Sequence, residues 1–334
     1  CGTGLETIMN IANKIALSQI DSGIGGGVDS ISDAPIVYND NLRKILLKSF
    51  TGKSLKEKLT PWSRMRPKLL KPKLPGVKEP RTGLSMGEST EIIAKDYDIS
   101  RHDQDALAIK SHTNASRAYD EGFYEDLVIP FEGIEKDNII QLDSSIDKLA
   151  SLNTVFDKGV NATLTPGNST SLTDGSAAVL LASDDWANKN NLDIESYITS
   201  FEIAAVDYID NEGLLMAPAY AVSEMLKKQN LNLQDFNFYE IHEAFAAQTL
   251  ATINAWESAE FCKSKLERGK AMGSFDHNKL NVKGGSLAIG HPFAATGARI
   301  VATLSKLLKE NGGGKGLISI CTAGGMGITA ILER

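Results

Sequence analysis

Cysteine is scarce in this 334-residue chain: there are three, at positions 1, 262 and 321, an odd number with no CxxC pair among them. That excludes a disulfide scaffold and a cysteine-paired zinc finger, and it suits a reducing compartment. No apolar run approaches the roughly 18 residues that a membrane-spanning helix needs. A motif for reading nucleic acid is missing too, and the net charge of −7 works against a phosphate backbone as partner. Aromatic residues make up only 7% of the chain, yet 42% of it is apolar, enough to bury a large core in more than one lobe.

What is present is organised around the stretch NVKGGSLAIGHPFAATGAR, Asn281 to Arg299. Here His291 stands between Gly284, Gly285 and Gly290 on one side and Pro292 and Gly297 on the other. Such glycines permit close backbone approach, and amides at a helix start favour negative charge. From Ala298 the residues Ile300, Val301, Leu304, Leu307 and Leu308 fall at helical spacing, and Asn311 with three glycines ends the run. The strand GLISIC then brings Cys321 to the turn TAGGMG, where a thiol can serve as acid or base on a substrate carbon. The first residues repeat this plan. Cys1-Gly2-Thr3-Gly4 opens a helix with Ile8, Ile11, Ala12, Ile15 and Ala16 on one face, Gly23 stops it, and GIGGGVDS follows as strand and turn. The pattern at both ends indicates an internally duplicated fold with its site where the halves meet. A helix start also favours a thiolate at Cys1.

In YEIHEAFAAQ, His242-Glu243 closes an apolar strand and opens a helix, a usual place for functional groups in α/β folds. The GIGGG run precedes a strand rather than following one, which removes a dinucleotide-binding reading. His102, His112 and His277 have no glycine frame or reactive neighbour and read as surface or structural residues; Cys262 reads as a buried apolar one. Between Asp40 and Arg81 there are 13 Lys and Arg against 3 Asp and Glu, a local excess of bases in an acidic chain. Leu42, Ile45, Leu46, Phe50, Leu55, Leu59 and Trp62 are interleaved with them, and five of the ten prolines fall between Pro61 and Pro80, among them Pro75. This predicts an amphipathic basic helix leading into an extended Pro-rich arm. A solvated excursion, a partner-subunit contact, an anionic membrane surface and the phosphates of coenzyme A are all open as its use.

Taken together, CGTGLETI, HEAFAAQ, GGSLAIGHPFAATGAR and CTAGGMG resemble, in order, the four active-site blocks of thiolases. HEAF in place of NEAF is similar to the fatty-acid-degrading branch, which includes the bacterial anaerobic β-oxidation thiolase and the β-subunit of the mitochondrial trifunctional protein. The likeness extends through STEIIAKDYDISRHDQDALAIKSHTNASRA and TPGNSTSLTDGSAAVLL to the C-terminus. It implies an α/β thiolase fold, two duplicated βαβαβαββ halves in a five-layer αβαβα arrangement with an inserted loop domain and the first half truncated. On that reading 1–38 and 159–184 form the N-terminal half, 39–158 the loop domain and 185–334 the C-terminal half. Roughly 90 residues are then expected to precede Cys1, since the second copy has far more chain before its histidine than the first has before its cysteine.

The resemblance implies 3-ketoacyl-CoA thiolase activity. Cys1 would take the acyl group, His291 would activate it, and Cys321 would move the proton at the α-carbon. His242 and His291 would form one oxyanion hole, and the main-chain N–H groups of Cys1 and Ala323 the other. Ser85, Met86, Gly167, Asn168 and Thr170 would border the pantetheine arm of coenzyme A. Asp137 to Phe156 would lie over the adenine, with Gln141 where many thiolases have arginine. Coenzyme A enters as substrate, and no metal or redox cofactor is implied. Expected partners are a second copy in a homodimer, a hydratase/dehydrogenase subunit, and a membrane surface through 40–81; the expected location is the bacterial cytoplasm or the mitochondrial matrix. Condensing synthases on the same fold lack the second cysteine in a CxxGG setting, so Cys321 argues against them. A biosynthetic acetoacetyl-CoA thiolase and a non-catalytic acyl-CoA-binding or scaffold subunit are the remaining alternatives.

Overall fold

The computed structural model describes residues 1–334 apart from Pro75 and Asn211. Contacts divide the chain into a main unit, Cys1–Asp29 with Glu79–Arg334, and a smaller one, Ser30–Lys78.

The main unit begins with α1 (Thr3–Ala16), whose Leu5 and Ile8 are fully buried while Ile11 and Ile15 are only half-buried. The helix ends at Leu17, and Gly23 lies inside the next strand, β1 (Ser22–Asp29). Gly23 therefore does not stop the helix. The glycines of β1 have a packing reason instead: a Cβ on Gly25 would lie 2.8 Å from Ile8 of α1, and one on Gly27 would lie 2.3 Å from the carbonyl of Ala294. Only glycine lets the strand lie in backbone contact on both faces.

In the smaller unit α2 (Asp40–Thr51) is capped by the Asn39 side chain, which accepts from Asn41 N, and α3 (Leu55–Leu59) is capped by Ser54. Two 3₁₀ turns follow, Thr60–Arg64 and Pro67–Leu70, each with proline in its first positions. The first part of the expected extended arm is thus wound into short helical turns, because a proline near a helix start gives up an N–H that has no intrahelical partner there. From Lys71 the described chain leaves the helical turns, and Lys73 bridges Val37. Pro75 of that arm lies outside the described residues. Leu42, Ile45 and Leu69 bury against one another, with Leu46 and Met65 beside them, while Phe50, Leu55 and Leu59 stay exposed. No helix among the described residues is long and apolar enough to cross a membrane.

Back in the main unit, α4 (Met86–Asp96) opens on a capping box between Ser85 and Glu88. The 20-residue α5 (Arg101–Asp120) follows, then the short α6 (Ile146–Ala150). The strand β2 (Gly175–Ala182) pairs antiparallel with β1, from Ser22 opposite Ala182 to Asp29 opposite Gly175. After α7 (Asp184–Lys189) come β3 (Tyr197–Ala205), α8 (Ala217–Gln229), β4 (Phe238–Ile241), α9 (Ala246–Glu257), α10 (Ala259–Ser264) and α11 (Ser286–Ile289). The chain closes with α12 (Thr296–Glu310), β5 (Lys315–Thr322) and β6 (Met326–Glu333). The second sheet has the order β3-β6-β5-β4, with β4 and β5 parallel and the other pairs antiparallel.

One core cluster joins the two ends of the chain: Leu5 and Ile8 of α1, Ile300, Val301, Leu304 and Leu308 of α12, Ile318 and Ile320 of β5, and Ile328 and Leu332 of β6. Each such side chain contributes about 1.5–3 kcal/mol when withdrawn from water. That burial holds the first residue of the chain against its last strands.

Candidate active site

His291 is positioned by its loop. Gly284 and Gly290, at φ of 87° and 85°, occupy the left-handed region that glycine tolerates. A Cβ on Gly284 would stand 2.5 Å from Ala115 of α5. The backbone N of His291 donates to Ser171 O at 3.0 Å, and its Nδ1 shares a 2.7 Å hydrogen bond with Thr296 Oγ1 at the start of α12. Those two anchors aim Nε2 at Cys1 Sγ, 3.0 Å away. The imidazole is 2% exposed, and burial pushes its pKa down to about 3. At neutral pH the ring is therefore uncharged, with a nitrogen free to take a proton from the thiol.

Cys1 is the residue before Gly2, the N-cap of α1. A Cβ on Gly2 would lie 2.9 Å from the side-chain methyl of Thr322, the residue after Cys321, so the start of the chain packs against the end of β5. Cys321 ends the buried part of β5 and is 1% exposed. Its Sγ donates to Gln248 Oε1 at 3.4 Å, while Gln248 Nε2 donates to Thr252 Oγ1. Burial pushes the Cys321 thiol up to about 12, so it keeps its proton at neutral pH. Ala323 lies exposed in the turn that follows.

His242 follows β4, its backbone N donating to Ser319 O of β5 at 2.9 Å. Its ring centroid is 4.3 Å from that of His291. The tautomer follows from its neighbours. Arg299 Nη2 donates to Ser286 Oγ at 3.0 Å, and arginine has only donors. Ser286 is fully buried, and the only acceptor for its own hydrogen among the described contacts is His242 Nδ1, 2.8 Å away. Nδ1 therefore accepts and Nε2 carries the ring hydrogen. That Nε2 has no protein partner among the described residues. Burial holds the ring well below its ordinary pKa, so it is a neutral donor facing the site.

Several residues to which the sequence assigned no role of their own hold these groups. The carboxylate of Glu243 accepts from Ser111 Oγ at 2.7 Å, Asn281 Nδ2 at 2.6 Å and Leu287 N at 3.1 Å, tying the His242 loop to α5 and α11. Ser286 and Thr296 were visible only as small polar residues in a glycine-rich loop. The turn at 165–172 splices the two histidine loops: Thr170 N donates to Ala244 O, Ala246 N to Asn168 O, and Thr170 Oγ1 to Ser286 O. Asn168 is fully buried, its amide engaged by Thr165 N, Asp105 and Thr163 O. Gly167 packs so closely that a Cβ would meet Leu149 at 2.6 Å. Ser85 caps α4, and Met86 packs half-buried on the main core. Cys262 is buried and donates to Trp256 O and Ala255 O, His112 Nδ1 accepts from Gln141 N, and His102 is exposed. None of these joins the Cys1 cluster.

Cys1 Sγ and one ring nitrogen from each of His242 and His291 all lie within 4.8 Å of one another, the only such grouping among the described residues able to hold a metal ion. Chemically the arrangement offers a thiol with a neutral base against it, a second thiol that holds its proton, and a buried N–H donor with no partner among the described residues.

The family model described as "Thiolase, N-terminal domain" matches residues 1–185, and that described as "Thiolase, C-terminal domain" matches 192–334. The chain is 42% identical to the 3-ketoacyl-CoA thiolases of Shewanella loihica and Yersinia pestis, covering all of this chain and 77% of each of those proteins. Among solved structures, human mitochondrial 3-ketoacyl-CoA thiolase in complex with CoA superposes with a TM-score of 0.79 at 29% identity, over all of this chain and 76% of that one. The dimeric peroxisomal thiolase of Saccharomyces cerevisiae gives 0.75 at 31% identity, over all of this chain and 74% of that one. Two cysteines and two histidines drawn from both ends of a chain that these models match almost throughout have one common explanation: the chain belongs to the thiolase family.

Proposed function

We propose that this chain is a 3-ketoacyl-CoA thiolase, which cleaves 3-oxoacyl-CoA with coenzyme A to give acetyl-CoA and a shortened acyl-CoA. The observation that carries this reading is the 3.0 Å approach of His291 Nε2 to Cys1 Sγ beside a second thiol kept protonated by burial. Cys1 gives its proton to His291 and its sulfur attacks the keto carbon. The bond between the α- and keto carbons breaks, its electron pair stays on the α-carbon, and the Cys321 thiol protonates that carbon, releasing acetyl-CoA. The Cys321 thiolate then takes the proton of the incoming coenzyme A thiol, whose sulfur displaces the acyl group from Cys1. His291 returns its proton to the departing Cys1 sulfur.

His242 Nε2, held as a donor by Ser286, faces the developing oxyanion together with His291; a donor in such a position supplies about 3 kcal/mol. The N–H groups of Cys1 and Ala323 form the second hole. Ser85, Met86, Gly167 and Thr170 border the pantetheine path, and Asn168, with its amide engaged inside the protein, shapes it rather than touching the ligand. A homodimer fits the yeast relative described as dimeric.

The test is cleavage of a series of 3-ketoacyl-CoA substrates from four carbons upward, with and without coenzyme A. Loss of substrate that depends on coenzyme A supports the reading, and preference for the four-carbon substrate alone would favour an acetoacetyl-CoA thiolase. No coenzyme-A-dependent loss with any of them would sink it.

A further inference from the structure

The three groups around the attacking sulfur are also good metal ligands. Cys1 Sγ and a ring nitrogen of each histidine are mutually within 4.8 Å, and the closest pair, His291 Nε2 and Cys1 Sγ, is at 3.0 Å. His242 has Nδ1 tied to Ser286, which leaves Nε2, buried and without a protein partner among the described residues, as the atom to bind. Around tetrahedral Zn²⁺, with Zn–S about 2.3 Å and Zn–N about 2.0–2.1 Å, sulfur and nitrogen stand about 3.6 Å apart and two nitrogens about 3.3 Å. Both values lie between the 3.0 Å of the His291–Cys1 pair and the 4.8 Å that bounds the set. Each imidazole also has a hydroxyl at Nδ1, Ser286 for His242 and Thr296 for His291, and a hydroxyl oxygen can accept the Nδ1 hydrogen that a metal-binding histidine donates to its outer support. One thiolate and two imidazoles leave a fourth position open, as three-ligand zinc sites do.

We infer that Cys1, His242 and His291 form a site for a thiophilic divalent cation, Zn²⁺ foremost, which occupies the centre in place of substrate and reversibly blocks it. Binding forms one metal–sulfur and two metal–nitrogen bonds and releases the Cys1 proton to solvent, while the hydrogen on His242 Nε2 moves to Nδ1 and the Ser286 hydroxyl turns its own hydrogen away to accept it. The block rests on the function proposed above, whereas the binding does not. The guanidinium of Arg299 reaches Ser286 just behind His242 and opposes any cation. Only an ion that gains from bonding to thiolate overcomes that repulsion, which excludes Mg²⁺ and Ca²⁺ with their preference for oxygen ligands.

Co²⁺ titration of the whole chain tests this. Expected are one Co²⁺ per chain, a thiolate-to-cobalt charge-transfer band with tetrahedral visible bands, displacement by Zn²⁺, and no effect of Mg²⁺. Cys1→Ser should abolish the charge-transfer band and Cys321→Ser should keep it. His242→Asn, checked for folding by circular dichroism, should weaken Co²⁺ and Zn²⁺ binding at least about 100-fold, and Ser286→Ala, which touches no metal, about 10-fold. Zn²⁺ should inhibit cleavage competitively with acyl-CoA and be reversed by chelator. Binding indifferent to His242→Asn, or no charge-transfer band in a chain whose Cys1 still reacts with iodoacetamide, would overturn the inference. A chain that binds Co²⁺ as described yet cleaves no 3-ketoacyl-CoA would leave the site standing and remove the functional reading instead.

Discussion

Replacing Gly297 by alanine asks whether the packing of α1 on α12, rather than the side chains alone, sets the distance between nucleophile and base. A Cβ at Gly297 would stand 2.3 Å from the backbone nitrogen of Leu5, where ordinary contact begins at 3.4 Å. On the facing helix a Cβ at Gly4 would stand 2.5 Å from the carbonyl oxygen of Ala294. Backbone meets backbone at both points, so no flexible side chain can yield, and the helices must part by about 1 Å at a cost of about 1–3 kcal/mol in stability. Cys1 moves with α1, whereas His291 is anchored separately through Ser171 and Thr296. The displacement therefore appears in the 3.0 Å separation between Sγ and Nε2.

A misplacement of about 1 Å costs on the order of 100-fold in rate, or about 2.7 kcal/mol of transition-state stabilisation. The assay is coenzyme-A-dependent cleavage of 3-ketoacyl-CoA well below the unfolding temperature, alongside iodoacetamide alkylation of Cys1, which reads the thiol without substrate. Both should slow in Gly297→Ala. Gly269→Ala, where a Cβ meets nothing within 4 Å, should change neither. A folded Gly297→Ala protein with both rates at the wild-type level would refute the argument that this helix contact sets the catalytic distance.

Cys321→Ser should lower cleavage by about 100-fold to 10,000-fold while Cys1 alkylation continues, since the hydroxyl cannot supply the buried proton donor. In Ser286→Ala, His242 Nδ1 loses its donor; kcat should fall about 10-fold to 100-fold with KM little changed, and ¹⁵N spectra of the histidines should show His242 leaving a single tautomer. Glu243→Ala strands the hydrogen-bonding groups of Ser111, Asn281 and Leu287 and should cost about 3 kcal/mol or more, read as a lower midpoint in urea. His291 has a folded pKa of about 3 against 6.5 for a free imidazole. Its neutral form is thus favoured in the fold, and the stability it confers is complete above about pH 6.5 and lost as pH falls toward 3. Melting temperature followed from pH 7 to pH 4 should drop, and His291→Gln should flatten that slope. Cys321 works at the other end: its thiol is held at about 12 against 9.0, so stability should be lost as pH rises from about 9 toward 12, and Cys321→Ser should blunt that loss.

Much of this was legible in the chain itself. The apolar spacing of Ile300, Val301, Leu304 and Leu308 defines α12 and its buried face, and the run GLISIC defines β5, because periodicity and apolar runs are local properties. Cys1, His242, His291 and Cys321 stood out because each lies at the junction of a glycine-framed or strand-ending segment. Misread were Gly23, taken to end a helix but lying within β1, and the first part of the proline-rich stretch after α2, expected to be extended but wound into short turns over Thr60–Arg64 and Pro67–Leu70. In both cases local residue type was a poor guide: Gly23 lies in a glycine-rich strand pressed against α1, and Pro61 and Pro67 start turns beside a small apolar cluster.

What only the tertiary structure decided is how the reactive groups are aimed. Nothing in the spacing of Ser286 and Thr296, or in the HEAFAAQ stretch that contains Glu243 and Gln248, shows what these side chains hold, and their partners lie up to 132 residues away along the chain, as with Ser111 and Glu243. A hydrogen-bond partner that distant has no periodicity to betray it, so the tautomer of His242 and the retained proton of Cys321 exist only once burial and packing have brought those atoms together.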